Sequence, residues 1–211
     1  MRVAFFLESL SATAPAHPLV RVFPYLQHAR ISFRCFTGSP LNERAVRAEV
    51  IGLQPYSAAR FPDQEEAQAL SDGVSRQLQP FHPDLIHLAD TSLLSLLGLS
   101  YARSHQLPLV ASYSPQEADQ ADAGYLRWFY GACQLVLVEN DKDGLALNRL
   151  GLTHTRIERV AASNSLERSR QLSGFYQQLQ QAFSAAPGRP ERQLRRRSPE
   201  QVVAVPQLAV I

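Results

Sequence analysis

Glycine is scarce where nucleotide-binding folds most need it. The first glycine of the 211-residue chain is Gly38, no two glycines are spaced G-x-G, and no G-K-[ST] occurs. A phosphate cradle needs glycines so that backbone N–H groups can approach the anion closely. Dinucleotide-binding and P-loop readings fail on this, and no cofactor is expected. Cysteine is nearly absent too. Cys35 and Cys133 both fall in or beside apolar segments and read as buried, reduced thiols, not as a disulfide or metal pair. The six histidines include no H-x-H or H-x-x-x-H pair, so no metal site is expected. Ser112 and Ser114 lack the flanking glycines of a nucleophile elbow, and no residue is assigned as catalytic. No apolar run reaches the ~18 residues of a membrane span. The opening Met1-Arg2-Val3-Ala4-Phe5-Phe6-Leu7-Glu8 carries one positive charge and soon meets Glu8, so it reads as a first strand and not as a secretory signal. The net charge of +2 is unremarkable, but Arg189, Arg192, Arg195, Arg196 and Arg197 crowd its positive part into the tail. The body is nearly neutral, which argues against a specific nucleic-acid-binding domain.

What is present is organised around Pro83-Asp84-Leu85-Ile86-His87-Leu88-Ala89-Asp90. Leu85 to Leu88 form a short apolar run, as a strand buried on both faces of a parallel sheet should. Asp90, Thr91 and Ser92 offer capping oxygens before the leucine-rich stretch Leu93 to Leu99. Leu107-Pro108-Leu109-Val110-Ala111-Ser112-Tyr113 supplies the next strand, completing a crossover unit. Residues 2–7, 31–36, 50–53, 135–138 and 155–160 read as further strands. Leu19, Val22, Phe23 and Leu26 have helical spacing, but Pro24 inside that pattern predicts a short or kinked helix. Ala67, Leu70, Val74, Leu78 and Phe81 mark a helix starting near Asp63. Asn140 can cap the helix carrying Leu145, Leu147 and Leu150, with Gly151 at its C′ position. Leu172, Phe175, Tyr176, Leu179 and Phe183 put an apolar stripe on a last helix. The alternation predicts an α/β fold: one doubly wound, Rossmann-like parallel sheet over residues 1–184. A basic, disordered tail is expected over 185–211.

Ligands of such sheets bind at the carboxyl ends of the strands. The candidate cleft residues are therefore Glu8, Asp90, Thr91, Tyr113, Ser114 and Asn140. Asp90 reads first as a helix cap and second as a base. His87, inside its strand, reads as a hydrogen-bonded core histidine. Glu117, Asp119 and Asp122 read as a solvated acidic loop, and Trp128 with Tyr125, Phe129 and Tyr130 as packing. The arginine-rich tail reads as a solubilising extension; its other reading is contact with an anionic membrane surface through Arg192, Arg195, Arg196 and Arg197, or with an acidic partner.

The segment His82-Pro83-Asp84-Leu85-Ile86-His87, the leucine-rich helix and Leu107-Pro108-Leu109-Val110-Ala111-Ser112-Tyr113 resemble the amino-terminal half of family 4 glycosyltransferases. That family has a PD-hydrophobic-hydrophobic-H strand and an LP-V-V-A-S-Y strand in this order. Tyr125-Leu126-Arg127-Trp128-Phe129-Tyr130, then Cys133-Gln134-Leu135-Val136-Leu137-Val138, matches its next segment, as do Leu150-Gly151 and Arg156-Ile157. The resemblance implies half of a GT-B fold, the acceptor-side domain. It also shows departures. The nucleotide-sugar domain that normally follows the strand at 155–160 is missing, and only a helix and a tail remain. That helix matches the family's final helix, which crosses back onto the first domain. The glycine-rich first loop is replaced by residues 11–18, the histidine after Ser-Tyr by Ser114, and the second histidine of H-x-H by Ala89. The resemblance thus implies a glycosyltransferase-like chain that is non-catalytic alone, binding a sugar or lipid acceptor or a partner transferase. The alternatives are an acceptor subunit whose donor domain is a separate chain, and an interaction module acting through the basic tail. The expected location is cytoplasmic, with the membrane surface as a peripheral site.

Overall fold

Val3, Phe5 and Leu7 face one side of the first strand and Ala4 and Phe6 the other, and all five are buried. Apolar side chains on both faces demand cover on both faces, which parallel strands obtain from crossover helices. The computed structural model describes residues 1–8, 19–38, 50–53, 63–115, 121–152, 154–161 and 164–185. Its strands are β1 (Arg2–Leu7), β2 (Ser32–Thr37), β3 (Val50–Gly52), β4 (Leu85–Leu88), β5 (Leu109–Ser112), β6 (Leu135–Val138) and β7 (Arg156–Arg159). They form one seven-stranded sheet in the order β3-β2-β1-β4-β5-β6-β7, parallel throughout. The chain starts in the middle, winds outward to β3, then returns to β4 and winds the other way. The direction reverses between β1 and β4. The predicted doubly wound α/β sheet is therefore the observed one.

The helices are α1 (Phe23–Leu26), α2 (Gln64–Phe81), α3 (Leu93–Ser104), α4 (Ala123–Gly131), α5 (Asp141–Arg149) and α6 (Ser165–Ala185). α1 is a single turn, the short helix expected from Pro24 inside the apolar spacing. Pro24 sits in its first turn, where its missing N–H costs nothing, and Leu19 and Val22 pack from the turns before it. α2 begins at a complete capping box: Asp63 accepts from the Glu66 N–H, and the Glu66 carboxylate accepts from the Asp63 N–H. α5 is capped by Asn140, and Gly151 follows it with φ +74°, the left-handed geometry that suits glycine. Asp122 is not simply solvated: its carboxylate accepts from the Gly124 and Tyr125 N–H groups and caps α4. Glu117 and Asp119 of that loop lie outside the described residues.

α3 lies so close to β1 that a Cβ on Gly98 would stand 2.6 Å from the nearest Phe6 ring atom. Phe6 is fully buried and stacked on Phe36, so it has little room to retreat. Gly98→Ala is expected to destabilise by about 2 kcal/mol despite the better helix propensity of alanine. A chemical denaturation midpoint at or above that of the parent would refute this close contact.

α6 covers the opposite face. Leu172 and Tyr176 pack among Phe5, Leu19, Val22 and Leu26, with Phe175 and Leu179 at the margin. The helix runs from the carboxyl end of β6, where Arg168 forms a bidentate ion pair with Glu139 at 2.5 and 2.6 Å, towards the start of β7, where Arg156 meets Gln178 at 3.3 Å. Midway, the Ser173 hydroxyl donates to the Ala29 carbonyl. The last helix therefore returns onto the sheet. It extends through Ala185, one residue beyond the predicted domain boundary; the tail expectation for 186–211 lies outside the described residues.

Both thiols are buried. Desolvation raises the pKa of Cys35 far above its ordinary value and that of Cys133 to about 12. Since the thiolate is the reactive form, neither is expected to react with Ellman's reagent in the folded protein at mildly alkaline pH, and both should react once denaturant is added. Rapid reaction of either thiol before unfolding would contradict the packing.

Candidate functional site

The strand order places the switch-point crevice between the carboxyl ends of β1 and β4, where ligands of doubly wound sheets bind. Glu8 and Asp90 stand on its two sides. The Asp90 carboxylate is 5% exposed. One oxygen accepts from the Glu8 backbone N–H at 2.6 Å. The other accepts from the Ser92 N–H at 3.1 Å, the Ser92 hydroxyl at 2.5 Å and the Ser95 hydroxyl at 2.8 Å. Asp90 is thus a clamp across the crevice and not the cap of α3; the N-cap is Ser92, whose oxygen accepts from the Ser95 N–H. A carboxylate already accepting four hydrogen bonds has little lone-pair capacity left for a substrate proton.

The main chain of Glu8 completes the clamp. Its carbonyl accepts from the Gly38 N–H and the Thr37 hydroxyl, binding the ends of β1, β2 and β4 together. Thr91 contributes a carbonyl that accepts from the Tyr125 hydroxyl at 2.8 Å, which ties α4 to the entry of α3. Tyr113 and Ser114 leave the end of β5, both partly exposed. The Tyr113 N–H donates to the Leu137 carbonyl, and its ring lies 5.7 Å from that of Tyr130. Asn140, at the end of β6, is occupied by its helix: its carbonyl oxygen accepts from the Asp143 N–H and its amide donates to the Asp143 carboxylate. Burial, followed by the charge of Glu139, raises the Asp143 pKa above the usual carboxylate value. The sequence-derived candidates thus sit along the carboxyl edge of β1, β4, β5 and β6, with Glu8, Asp90, Thr91 and Asn140 engaged in holding that edge in place.

His87 and Ser112 form a part of this edge that the candidate set left out. His87 is fully buried, with Nδ1 2.5 Å from the Tyr176 hydroxyl and Nε2 2.9 Å from the Ser112 hydroxyl. Strand alternation carried the signal. His87 pairs with Val110, so Ser112, two residues on, lies on the same face of the sheet.

Elsewhere, a shallow groove between α5 and β7 is floored by Val138 and Ile157 and bordered by Leu145 and Arg159. It lies at the sheet edge, away from the switch point, and Arg159 is held across it by Asp141 at 3.0 Å. Among the described residues no cluster of His, Cys, Asp and Glu could hold a metal ion, and no helix is long and apolar enough to cross a membrane.

No family model matches the chain, and no curated protein matches it significantly. Solved structures do. A sucrose-phosphate synthase chain from Thermosynechococcus elongatus, designated 27_220_406_426, is 14% identical with a TM-score of 0.63, covering 85% of this chain and 99% of that one. HepE from Anabaena, in complex with UDP and glucose, is 15% identical with a TM-score of 0.55, over 76% of this chain and 44% of HepE. UDP-GlcNAc 2-epimerase from Neisseria meningitidis, bound to UDP-GlcNAc, is 13% identical with a TM-score of 0.54, over 87% of this chain and 53% of the epimerase. The chain spans about half the length of these last two. At such identities the likeness is one of fold. The shared fold is a single Rossmann-like α/β sheet with flanking helices, matching half of a GT-B chain.

Proposed function

We propose that this chain has the acceptor-side, amino-terminal half of a family 4-type glycosyltransferase fold, with no donor half inserted between β7 and α6. In this reading it catalyses no transfer alone, and it holds a sugar acceptor or a partner transferase at the edge formed by Glu8, Asp90, Thr91, Tyr113, Ser114 and Asn140. The observation that carries the reading is the return of α6 across the sheet directly after β7, at the point where the resembled enzymes continue into a second domain. The near end-to-end match to a sucrose-phosphate synthase chain, 99% of which is covered, supports the fold part of the reading. The engagement of Asp90 and Asn140 in structural hydrogen bonds supports the non-catalytic part. The protein is read as cytoplasmic, with Arg192, Arg195, Arg196 and Arg197 as a peripheral contact for anionic lipid.

Isothermal titration of the full chain with UDP and UDP-glucose is the test. No binding of either is expected, together with no hydrolysis of UDP-glucose. Saturable UDP binding would overturn the reading, because the nucleotide belongs to the absent half. In a second reading the chain is the acceptor subunit of an active transferase whose donor half is a separate chain.

A further inference from the structure

Tyr176, His87 and Ser112 form a chain of hydrogen bonds from the underside of α6 to the carboxyl end of β5. A neutral imidazole donates from one ring nitrogen and accepts on the other, so the proton at one end fixes the direction of the whole chain. Tyr176 is wholly buried, and desolvation holds its phenol in the protonated form. His87 Nδ1 is the one hydrogen-bond partner of its hydroxyl among the described residues. A buried O–H left without an acceptor costs about 1–3 kcal/mol, so the phenol proton points at Nδ1. Nδ1 is then the acceptor, Nε2 carries the ring proton, and Nε2–H donates to Ser112 Oγ. The serine oxygen receives a proton from behind, and its own proton is left for another acceptor. Among the described residues Ser112 Oγ has no second partner, and Ser112 is partly exposed.

We infer that Ser112 is a ligand-binding residue of the carboxyl edge of the sheet, a hydroxyl donor held outward by the Tyr176–His87 chain to take a hydroxyl or ring oxygen of a neutral sugar. The inference rests on the acceptor-half reading for its ligand class. A neutral ligand fits better than a phosphorylated one, because Arg168, a cation at this end of α6, is already held by both oxygens of Glu139. The same direction of protons excludes Ser112 as a nucleophile activated by His87, since the imidazole offers the serine a proton and takes none from it.

The test is long-range proton–nitrogen NMR of the histidine-labelled full chain at neutral pH, with glucose and glucose 6-phosphate as probes. Ser112→Ala and Tyr176→Phe assign the His87 signals, and Ser112→Thr, which keeps a hydroxyl, serves as the conservative control. His87 is expected in the Nε2–H form. Glucose should shift its signals with an affinity weakened about five- to tenfold by Ser112→Ala and largely restored by Ser112→Thr. An Nδ1–H ring would overturn the inference while leaving the acceptor-half reading intact. An Nε2–H ring would also overturn it if glucose leaves the signals unmoved, if Ser112→Ala binds glucose as tightly as the parent, or if only glucose 6-phosphate produces a response. The UDP titration above decides the acceptor-half reading separately.

Discussion

Tyr176→Ala is expected to lower the unfolding free energy by about 4 kcal/mol, the scale of a large buried aromatic removed from a core. The ring is wholly buried and meets Phe5 at 6.5 Å and His87 at 5.7 Å, both edge-on. Its hydroxyl satisfies a histidine nitrogen that has no access to water. The loss should appear as a drop of about 8–16 °C in melting temperature for a domain of this size. Hydrogen exchange should become fast along α6 before it does in β4 and β5. Tyr176→Phe removes the hydroxyl alone and should cost about 1–2 kcal/mol, so the pair separates ring packing from the hydrogen bond. A Tyr176→Ala protein within 1 kcal/mol of the parent would mean that α6 does not close the sheet.

Asp90→Ala is the second large effect, expected at about 3 kcal/mol. It would leave the Glu8 N–H without the partner now 2.6 Å away and release the Ser92 and Ser95 hydroxyls at the entry of α3. Asp90→Asn keeps the shape but must turn an NH2 group towards one of these donors, so it should recover only part of the loss. Asp84 is a useful contrast. It accepts from the Arg2 N–H at 2.8 Å with its side chain partly open to solvent, and Asp84→Asn should cost under about 1 kcal/mol. Equilibrium denaturation of the three variants checks the order. An Asp90→Ala protein as stable as Asp84→Asn would return Asp90 to the list of groups free to act on a ligand.

The strands were legible because burial on two faces leaves an unmistakable apolar run, as in Leu85 to Leu88 and Leu135 to Leu137. Helix ends written in adjacent residues were legible as well: the start near Asp63, the cap at Asn140, and Gly151. What sequence could not resolve depends on partners far along the chain. Asp90 looked like a cap because Ser92 and Leu93 follow it, whereas its shortest bond to main chain goes to Glu8, 82 residues away. Ser112 was passed over for its neighbours Tyr113 and Ser114 because its role is set by a tyrosine on the last helix. The shortness of α1 was legible too, because Pro24 stands inside its apolar spacing.

The passage from Arg159 to Ser165 has a consequence for building with this fold. The sheet is finished before it and its cover is supplied after it, while the arginine at one end and the clasp between Arg168 and Glu139 near the other fasten both margins. A foreign folded module spliced there would enter at a doorway whose two posts stand without it. The body would be expected to assemble around such a guest as it does without one.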